Sequence, residues 1–304
     1  MIPFSPPRID QKVIDEVVDT LKSGWITTGP KTKEFERRLT AYCGNKATLA
    51  VNSNTVGLEV VLRWFGVQEG DEVIVPAYTY CATANVIVHC GAKPVMVDVN
   101  ADDFDVCLEK VREAITDKTK VIMPVDLGGM PCAYDELFEL VETEEVKTLF
   151  QAKTEEQGKL GRILILSDSA HSIGAEYKGR KAGSLADVSV FSFHAVKNLT
   201  TAEGGAIMLN LPEPFDNEDV YRYLCTYTLH GQNKDALAKT KKGAWRYDVL
   251  VSGFKGNMTD IMASIGLVEL SRYEDDTLHY RKCIYDQYTD AFSRYGWAEL
   301  PIYE

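Results

Sequence analysis

The stretch "RILILSDSAHS" (162–172) indicates the class of fold. Its RILIL segment is an almost continuous apolar run, rich in residues that favour strands. Such a run is typical of a strand that is buried on both faces of a parallel sheet. Polar residues, among them Asp168 and His171, follow directly after the run. The stretch therefore predicts a buried strand that ends in polar chemistry.

Similar runs recur along the chain, and several are separated by segments with helical spacing of apolar residues. The alternation predicts an α/β sandwich with helices on both sides of the sheet. Helices are expected at 55–66, 107–115 and 133–141. The other six predicted strands are "ATLAV" (47–51), "DEVIVP" (71–76), "PVMVDV" (94–99), "KVIMPV" (120–125), "VSVFSF" (188–193) and "GAIMLN" (205–210).

Composition and charge exclude some classes of function. The 304 residues are 45% hydrophobic and 26% charged, as in an ordinary globular protein. The formal net charge of -12 argues against a nucleic-acid partner, which would require a basic face. An anionic substrate would need local cations, because the overall field repels it.

The chain shows no signal for a membrane or a metal. No apolar run reaches about 18 residues, and the N-terminal stretch lacks a basic region followed by an apolar core. We therefore expect no membrane partner and a cytoplasmic location. The seven cysteines are spread singly without a C-x-x-C, which argues against a disulfide scaffold and against a zinc site. No metal site is expected.

Polar residues follow three of the predicted strands, at the edge of a parallel sheet where binding sites gather. A carboxylate and a lysine that converge there, with a hydroxyl and an aromatic ring, suit pyridoxal phosphate. That cofactor needs a lysine for its Schiff base, an acid partner for its ring nitrogen and donors for its phosphate. The residues are Asp168 and His171 after RILIL, Ser192, His194 and Lys197 after VSVF, and Tyr80 after EVIVP.

Each of these residues has an ordinary structural alternative when it is taken singly. Lys197 could be a solvated loop charge, and Asp168 could be a helix N-cap. His171 and His194 could be half-buried histidines with hydrogen-bond partners, and Tyr80 could belong to the core. The joint occurrence of these residues just past apolar strands favours the cofactor site.

The same residues lie in a colinear series of motifs that resembles the DegT/DnrJ/EryC1/StrS family of sugar aminotransferases. The resemblance covers nearly the whole chain. It implies a fold-type-I pyridoxal phosphate enzyme with a mainly parallel, mixed seven-stranded sheet in a three-layer α/β/α sandwich. The motifs include "SGWITTGPKTKEFE" (23–36), "GDEVIVPAYTYCATAN" (70–85), "SDSAHSIGAEYKG" (167–179), "SFHAVKNLTTAEGGA" (192–206) and "GFKGNMTDIMASIGL" (253–267).

The resemblance implies a role for each catalytic candidate. Lys197 would form the Schiff base and shuttle the proton, and Asp168 would pair with the pyridinium. His171 would lie against the cofactor ring, and Tyr80 would stack on its face.

Further residues would bind the phosphate and the substrate. Ser192 and the backbone amides of Asn54 and Thr55 would hold the phosphate, and Asn257 would reach the phosphate of the neighbouring subunit. The active form would then be a homodimer with shared sites. The nucleotide sugar would lie near Trp25, Thr27, His194 and His230.

The resemblance also divides the chain. It implies a large cofactor-binding domain over residues 1–250, and a linking helix with the beginning of a small, truncated C-terminal α/β domain over 251–304. Two positions depart from the family pattern. Asn54 stands where S-G-T or S-A-T is usual, and Asp126 stands where a histidine is common, so a substrate-side contact is expected to differ.

The implied reaction is a ping-pong transfer of an amino group from glutamate to a nucleotide-linked keto sugar. The pattern around His171 and Lys197 favours a 4-keto-6-deoxy sugar, whereas members that act at carbon 3 more often have glutamine in place of His171. A non-catalytic, cofactor-binding regulator is a further alternative. Lys197 argues against the related dehydratases, and the lack of a G-x-G-x-x-G argues against a dinucleotide-binding oxidoreductase.

Overall fold

The computed structural model describes residues 5–234 and 246–300 of the protein. All seven predicted strands are present in it, with ends that differ by a few residues from the prediction. Two short additional strands form a separate hairpin. The strands are β1 (Ala47–Val51), β2 (Glu72–Pro76), β3 (Lys93–Val97), β4 (Thr119–Ile122), β5 (Leu164–Asp168), β6 (Glu176–Tyr177), β7 (Arg180–Lys181), β8 (Val188–Ser192) and β9 (Gly205–Leu209).

The main sheet is mixed and mainly parallel, as predicted. Its seven strands lie in the order β1-β9-β8-β5-β4-β2-β3. Strands β8, β5, β4, β2 and β3 pair in parallel, and Asp168 at the end of β5 lies in register with Val190 of β8. Strand β9 is antiparallel to both of its neighbours. The ends of β5 and β8 therefore meet at one edge, where their polar residues can share a site.

The predicted helices over 55–66, 107–115 and 133–141 correspond to α3, α5 and α6. Among the residues that the structure describes, no helix is long and apolar enough to span a membrane. The helices are α1 (Gln11–Ser23), α2 (Pro30–Cys43), α3 (Asn54–Trp64), α4 (Cys81–His89), α5 (Leu108–Ala114), α6 (Tyr134–Glu142), α7 (Glu144–Leu149), α8 (Glu155–Leu160), α9 (Asn217–Tyr227), α10 (Asp260–Ser271) and α11 (His279–Phe292).

The sheet separates two hydrophobic clusters, because alternate residues of each strand point to opposite faces. In β8, Val188 and Val190 pack with α3, α4 and α9, whereas Phe191 packs on the other face with α2, α5, α6 and α10. These two helical layers and the sheet form the predicted three-layer sandwich. Strand β3 is an exception to the expected burial on both faces: it lies at the edge of the sheet, and Met96 is exposed.

In the predicted C-terminal domain, helix α10 packs into the hydrophobic core of the sandwich, whereas helix α11 does not. Met258, Ala263 and Leu267, in or next to α10, belong to the cluster that also contains α2. Helix α11 has no buried residue. The boundary between residues 250 and 251 stays a prediction, and residues 1–4, 235–245 and 301–304 of the two predicted domains lie outside the described residues.

Candidate active site

One cavity of about 370 Å³ opens where β2, β4, β5 and β8 end and where α3 begins. It brings together residues from three separate predicted strand ends and from the start of α3. The predicted residues that line it are Asn54, Thr55, Tyr80, Asp168, His171, Ser192, His194 and Lys197. The carboxyl ends of the parallel strands thus form the candidate site, as the sheet topology requires.

Asp168 is the buried acid of this cavity, with 4% of its surface exposed. Thr83 donates a hydrogen bond to its Oδ2 at 2.8 Å, and the Asn54 amide donates to its Oδ1 at 3.0 Å. Burial raises the pKa of the Asp168 carboxyl, and the hydrogen bonds from Thr83 and Asn54 oppose that rise. The carboxylate is therefore held in place by two neutral side-chain donors.

Lys197 lies in the turn that follows β8, where its backbone N–H donates to the His194 carbonyl at 2.9 Å. Its side chain lines the same cavity as Asp168. Burial lowers the pKa of Lys197, and the charge of Asp168 partly offsets this effect. A lysine with a lowered pKa is a better nucleophile and proton acceptor near neutral pH than a fully solvated one.

His171 is fixed in the cavity by backbone and side-chain contacts. The Gly128 N–H donates to His171 Nδ1 at 3.3 Å, so the proton of the neutral ring resides on Nε2. The Asn198 amide donates to the His171 carbonyl at 3.0 Å. Burial and the nearby charge of Lys197 lower the pKa of His171, which favours the neutral ring.

The start of α3 supplies an anion site at one side of the cavity. Ser53 caps the helix by accepting the Val56 N–H at 3.2 Å, and Asn54 and Thr55 are the first helical residues. The first amides of a helix have no intrahelical acceptor and carry a partial positive charge. Ser192 adds a hydroxyl to the same cavity. This combination suits a phosphate group.

The mouth of the cavity carries larger and more exposed side chains. Tyr80 is 76% exposed, which excludes the alternative that it belongs to the core. His194 Nε2 lies 3.6 Å from a carboxylate oxygen of Glu203, and both residues line the cavity. These side chains are accessible to a ligand that enters from solvent.

The remaining predicted residues, Trp25, Thr27, His230 and Asn257, do not line this cavity. They lie on three turns that contact one another. Asn257 Nδ2 donates to Thr28 Oγ1 at 2.5 Å, and the Leu229 and Lys255 backbones form an antiparallel bridge. These four residues lie outside the cavity lining, on neighbouring segments that we call the 25/230/257 surface.

Asp126 follows β4 but points away from the cavity, whose wall is formed by the flanking Val125 and Leu127. Its carboxyl is 1% exposed and accepts hydrogen bonds from the Tyr134 hydroxyl at 2.7 Å and the Ser172 hydroxyl at 2.5 Å. Burial raises the pKa of the Asp126 carboxyl. Asp126 thus belongs to the hydrogen-bonded structure next to the site and does not line the cavity, and the expected difference in a substrate-side contact stays a prediction.

The sequence reasoning missed three contributors to the site. Thr83 was not singled out, although Thr79 and Thr83 are spaced four residues apart around the start of α4 and their hydroxyls lie 2.7 Å apart. The side chain of Asn54 was not expected to contact Asp168. The Gly128 amide, which orients His171, could not be found from sequence because its role depends on the loop conformation.

Comparisons with known proteins agree with this geometry. The model of the DegT/DnrJ/EryC1/StrS aminotransferase family matches residues 7–301. The structure is similar to that of Spr1654 of Streptococcus pneumoniae, described as a sugar aminotransferase, with a TM-score of 0.91 and 53% identity. Structures of Spr1654 include a pyridoxal phosphate (PLP) form and a pyridoxamine phosphate (PMP) form, and the family is dependent on this cofactor.

Two curated relatives are also similar in sequence. An uncharacterized protein of Methanocaldococcus jannaschii, MJ1066, is 40% identical over 274 residues, and the spore coat polysaccharide biosynthesis protein SpsC of Bacillus subtilis is 35% identical over 294 residues. The matches cover 90% and 96% of this chain. They span 65% of MJ1066 and 69% of SpsC, and the match to Spr1654 covers 96% of this chain and 72% of that one.

Proposed function

We propose that this chain, which belongs to the DegT/DnrJ/EryC1/StrS aminotransferase family, transfers an amino group from glutamate to a nucleotide-linked keto sugar. The observation that carries the proposal is the single cavity that holds Lys197, Asp168 and His171 together. The similarity to SpsC and to Spr1654 supports a role in amino-sugar or polysaccharide biosynthesis.

The residues of the cavity fit pyridoxal phosphate. A buried carboxylate, an amine and the amino end of a helix line one volume, which matches the three functional parts of the cofactor. Asp168 would hold the ring nitrogen, Lys197 would bind the carbonyl carbon, and Ser192 with the Asn54 and Thr55 amides would hold the phosphate. When bound, the cofactor supplies an electron-accepting ring that stabilises the charge left on carbon after a proton is removed.

The side chains of the chain provide the proton transfers and the orientation. The lowered pKa of Lys197 leaves a larger fraction of its amine unprotonated near neutral pH. That amine can take a proton from the α-carbon of glutamate, and its ammonium form can return one to the sugar carbon that receives the amine. Asp168 in its ionised form would hold a proton on the ring nitrogen of the bound cofactor. His171, oriented by the Gly128 amide, would offer its Nε2–H to the bound ligand.

The cofactor and the first half of the reaction are tested by absorbance spectroscopy. The protein is titrated with pyridoxal phosphate and then with glutamate, alongside Lys197→Ala and the matched control Lys178→Ala, whose exposed lysine pairs with Asp135. We expect the wild type and the control to take up the cofactor and to convert it to the pyridoxamine form with glutamate. Lys197→Ala should show no conversion. A wild type that binds no cofactor, or an unchanged Lys197→Ala, would contradict the proposal.

The proposed acceptor is a 4-keto-6-deoxy sugar, on the basis of the residues around His171 and Lys197. After conversion to the pyridoxamine form, the protein is offered 4-keto and 3-keto nucleotide sugars, and the products are identified by mass spectrometry. We expect amination of the 4-keto compound. Amination of the 3-keto compound alone would reverse this assignment within the same family, and cofactor binding without turnover would favour a regulatory role.

The proposed active form is a homodimer in which the 25/230/257 surface of one subunit completes the cavity of the other. The proposal is supported by the position of Asn257, which lies outside the cavity of its own chain. Lys197→Ala and Asn257→Ala should each be inactive, whereas a mixture of the two should regain activity, because a mixed dimer contains one site with both residues intact. A mixture that stays inactive after subunit exchange would contradict shared sites. The cytoplasmic location stays a prediction.

A further inference from the structure

We infer that Asn54 is a positioning residue for Asp168. Its side-chain amide holds the Asp168 carboxylate in place and favours the ionised form of that carboxylate. The inference deepens the proposed function and depends on it, because Asp168 matters here as the partner of the cofactor ring nitrogen. It assigns to the Asn54 side chain a role separate from that of the Asn54 backbone amide at the phosphate site.

The hydrogen-bond geometry determines the orientation of the Asn54 amide. Its Nδ2 lies 3.0 Å from Asp168 Oδ1 and 2.8 Å from the Val190 carbonyl oxygen. Both partners are acceptors, so the NH₂ group and not the carbonyl oxygen must face them. Asn54 is 7% exposed, and water therefore competes little for either hydrogen bond. The two bonds hold the side chain between the end of β5 and the middle of β8.

The amide reaches the carboxylate because two glycines allow α3 to approach the sheet closely. A Cβ atom on Gly205 would lie 2.6 Å from the backbone nitrogen of Asn54, and a Cβ atom on Gly57 would lie 2.6 Å from Val190 Cγ1. Such distances are far shorter than a normal contact, so larger residues would push the helix away. The close approach places the first residue of α3 within hydrogen-bond distance of the acid.

The environment of Asp168 makes an additional donor significant. Its carboxylate also accepts from Thr83 Oγ1 at 2.8 Å and from the Ala170 N–H at 3.3 Å. Lys197 and His171 share the cavity with it, and Tyr80, His194 and Glu203 are the other titratable groups of its lining. The lowered pKa of His171 favours its neutral form. Burial disfavours the charge on Asp168, and each donated hydrogen bond recovers part of that cost. A hydrogen bond to a charged group contributes more than one between neutral groups.

The remaining ionisable neighbour of this segment is Asp126, whose backbone N–H donates to the Asp168 carbonyl at 3.2 Å. Its carboxyl turns away towards Tyr134 and Ser172, so it does not contact the Asp168 carboxylate. The resemblance to the family implies glycine or alanine at position 54, and neither has a side-chain donor, so the Asn54 side chain adds a donor to the acid.

The test measures the dissociation constant of pyridoxal phosphate as a function of pH for the wild type and for Asn54→Ala. Loss of one hydrogen bond to a charged group should weaken binding at neutral pH by about tenfold or more. It should also move the acidic fall in binding to higher pH, because the Asp168 carboxyl then protonates more easily. Asn45→Ala is the matched control. Asn45 is equally buried and donates to a carbonyl, but it precedes β1 at the opposite end of the sheet.

Asn54→Asp provides a second variant of the same size. It replaces the donor with a second acid beside Asp168, so it should bind the cofactor more weakly than Asn54→Ala, and most clearly at high pH. Thermal unfolding of each cofactor-free variant shows whether it is folded. Unchanged binding in Asn54→Ala, or a loss that is the same at every pH, would overturn the inference and leave the proposed function intact. A wild type that binds no cofactor would overturn both.

Discussion

Asp260 caps a helix to which it does not belong, and its removal should measurably destabilise the fold. Helix α2 begins after Gly29, which has no side chain to cap it. The Asp260 Oδ1 atom accepts the Gly29 N–H at 2.8 Å, the Thr32 N–H at 2.9 Å and the Thr32 hydroxyl at 2.7 Å. Its Oδ2 accepts the Lys31 N–H at 3.1 Å. Asp260 is only 1% exposed, so these bonds are largely shielded from water.

The expected cost follows from the donors that would lose their acceptor. In Asp260→Ala, the Gly29 and Thr32 amides are buried, and each unsatisfied donor costs at least about 1 kcal/mol. Loss of a negative charge at the amino end of a helix adds about 0.5–1 kcal/mol. We therefore expect a decrease of about 3 kcal/mol in the free energy of unfolding. Asp260→Asn keeps one acceptor oxygen and should cost about half as much.

The measurement is urea unfolding followed by circular dichroism. Asp216→Ala is the control, because Asp216 caps α9 at the surface through the Glu218 and Asp219 amides at 2.8 and 3.3 Å. Loss of an ordinary cap should cost about 1 kcal/mol. If Asp260→Ala were no more destabilising than Asp216→Ala, water would have replaced the carboxylate and the reasoning would be refuted.

Three further variants test other features of the fold. Ala202 holds a left-handed φ of 72°, so Ala202→Gly should raise the free energy of unfolding by about 0.5–1 kcal/mol, and a lower melting temperature would contradict this. Gly205→Ala would place a Cβ atom 2.6 Å from the backbone nitrogen of Asn54, so it should lower the free energy of unfolding by at least about 2 kcal/mol and weaken cofactor binding. Gly158→Ala, which has open space around the added Cβ atom, should change neither. Burial raises the pKa of the Asp126 carboxyl, so the folded chain keeps this proton to a higher pH than the unfolded chain does. The free energy of unfolding therefore falls as pH rises towards the folded pKa, and Asp126→Asn should flatten this decline; an unchanged slope would contradict the assignment.

The sequence predicted the strands well because burial on both faces leaves a continuous apolar signal. The degree of burial could not be obtained from the same signal, because β3 has an apolar run like the others but lies at an edge of the sheet with Met96 exposed, whereas β1 at the other edge is buried throughout. The order of the strands could not be obtained from the same pattern. It depends on pairings between distant segments, such as β1 with β9, which apolar runs do not encode.

Polar residues that follow the predicted strands do lie together in the structure, because parallel strands bring their carboxyl ends to one edge of the sheet. Asp168, Ser192 and Lys197 were found in this way, and they line one cavity. The contact between Asn54 and Asp168 joins residues separated by 114 positions. Its prediction would require the distance between α3 and β5, which is determined by the glycines that allow close approach.

Asn54 and Asp126, the two positions at which the resemblance to the family implies other residues, both form hydrogen bonds with Asp168. Asn54 donates to the acid itself, whereas Asp126 accepts from Ser172 and donates its backbone N–H to the Asp168 carbonyl. Neither change alters a side chain that projects from the mouth of the cavity. Residues that differ from a family at its active site are usually suspected of changing the substrate. Here the hydrogen bonds indicate that both differences concern how the acid is supported, so they should alter cofactor affinity and its pH dependence before they alter the choice of sugar.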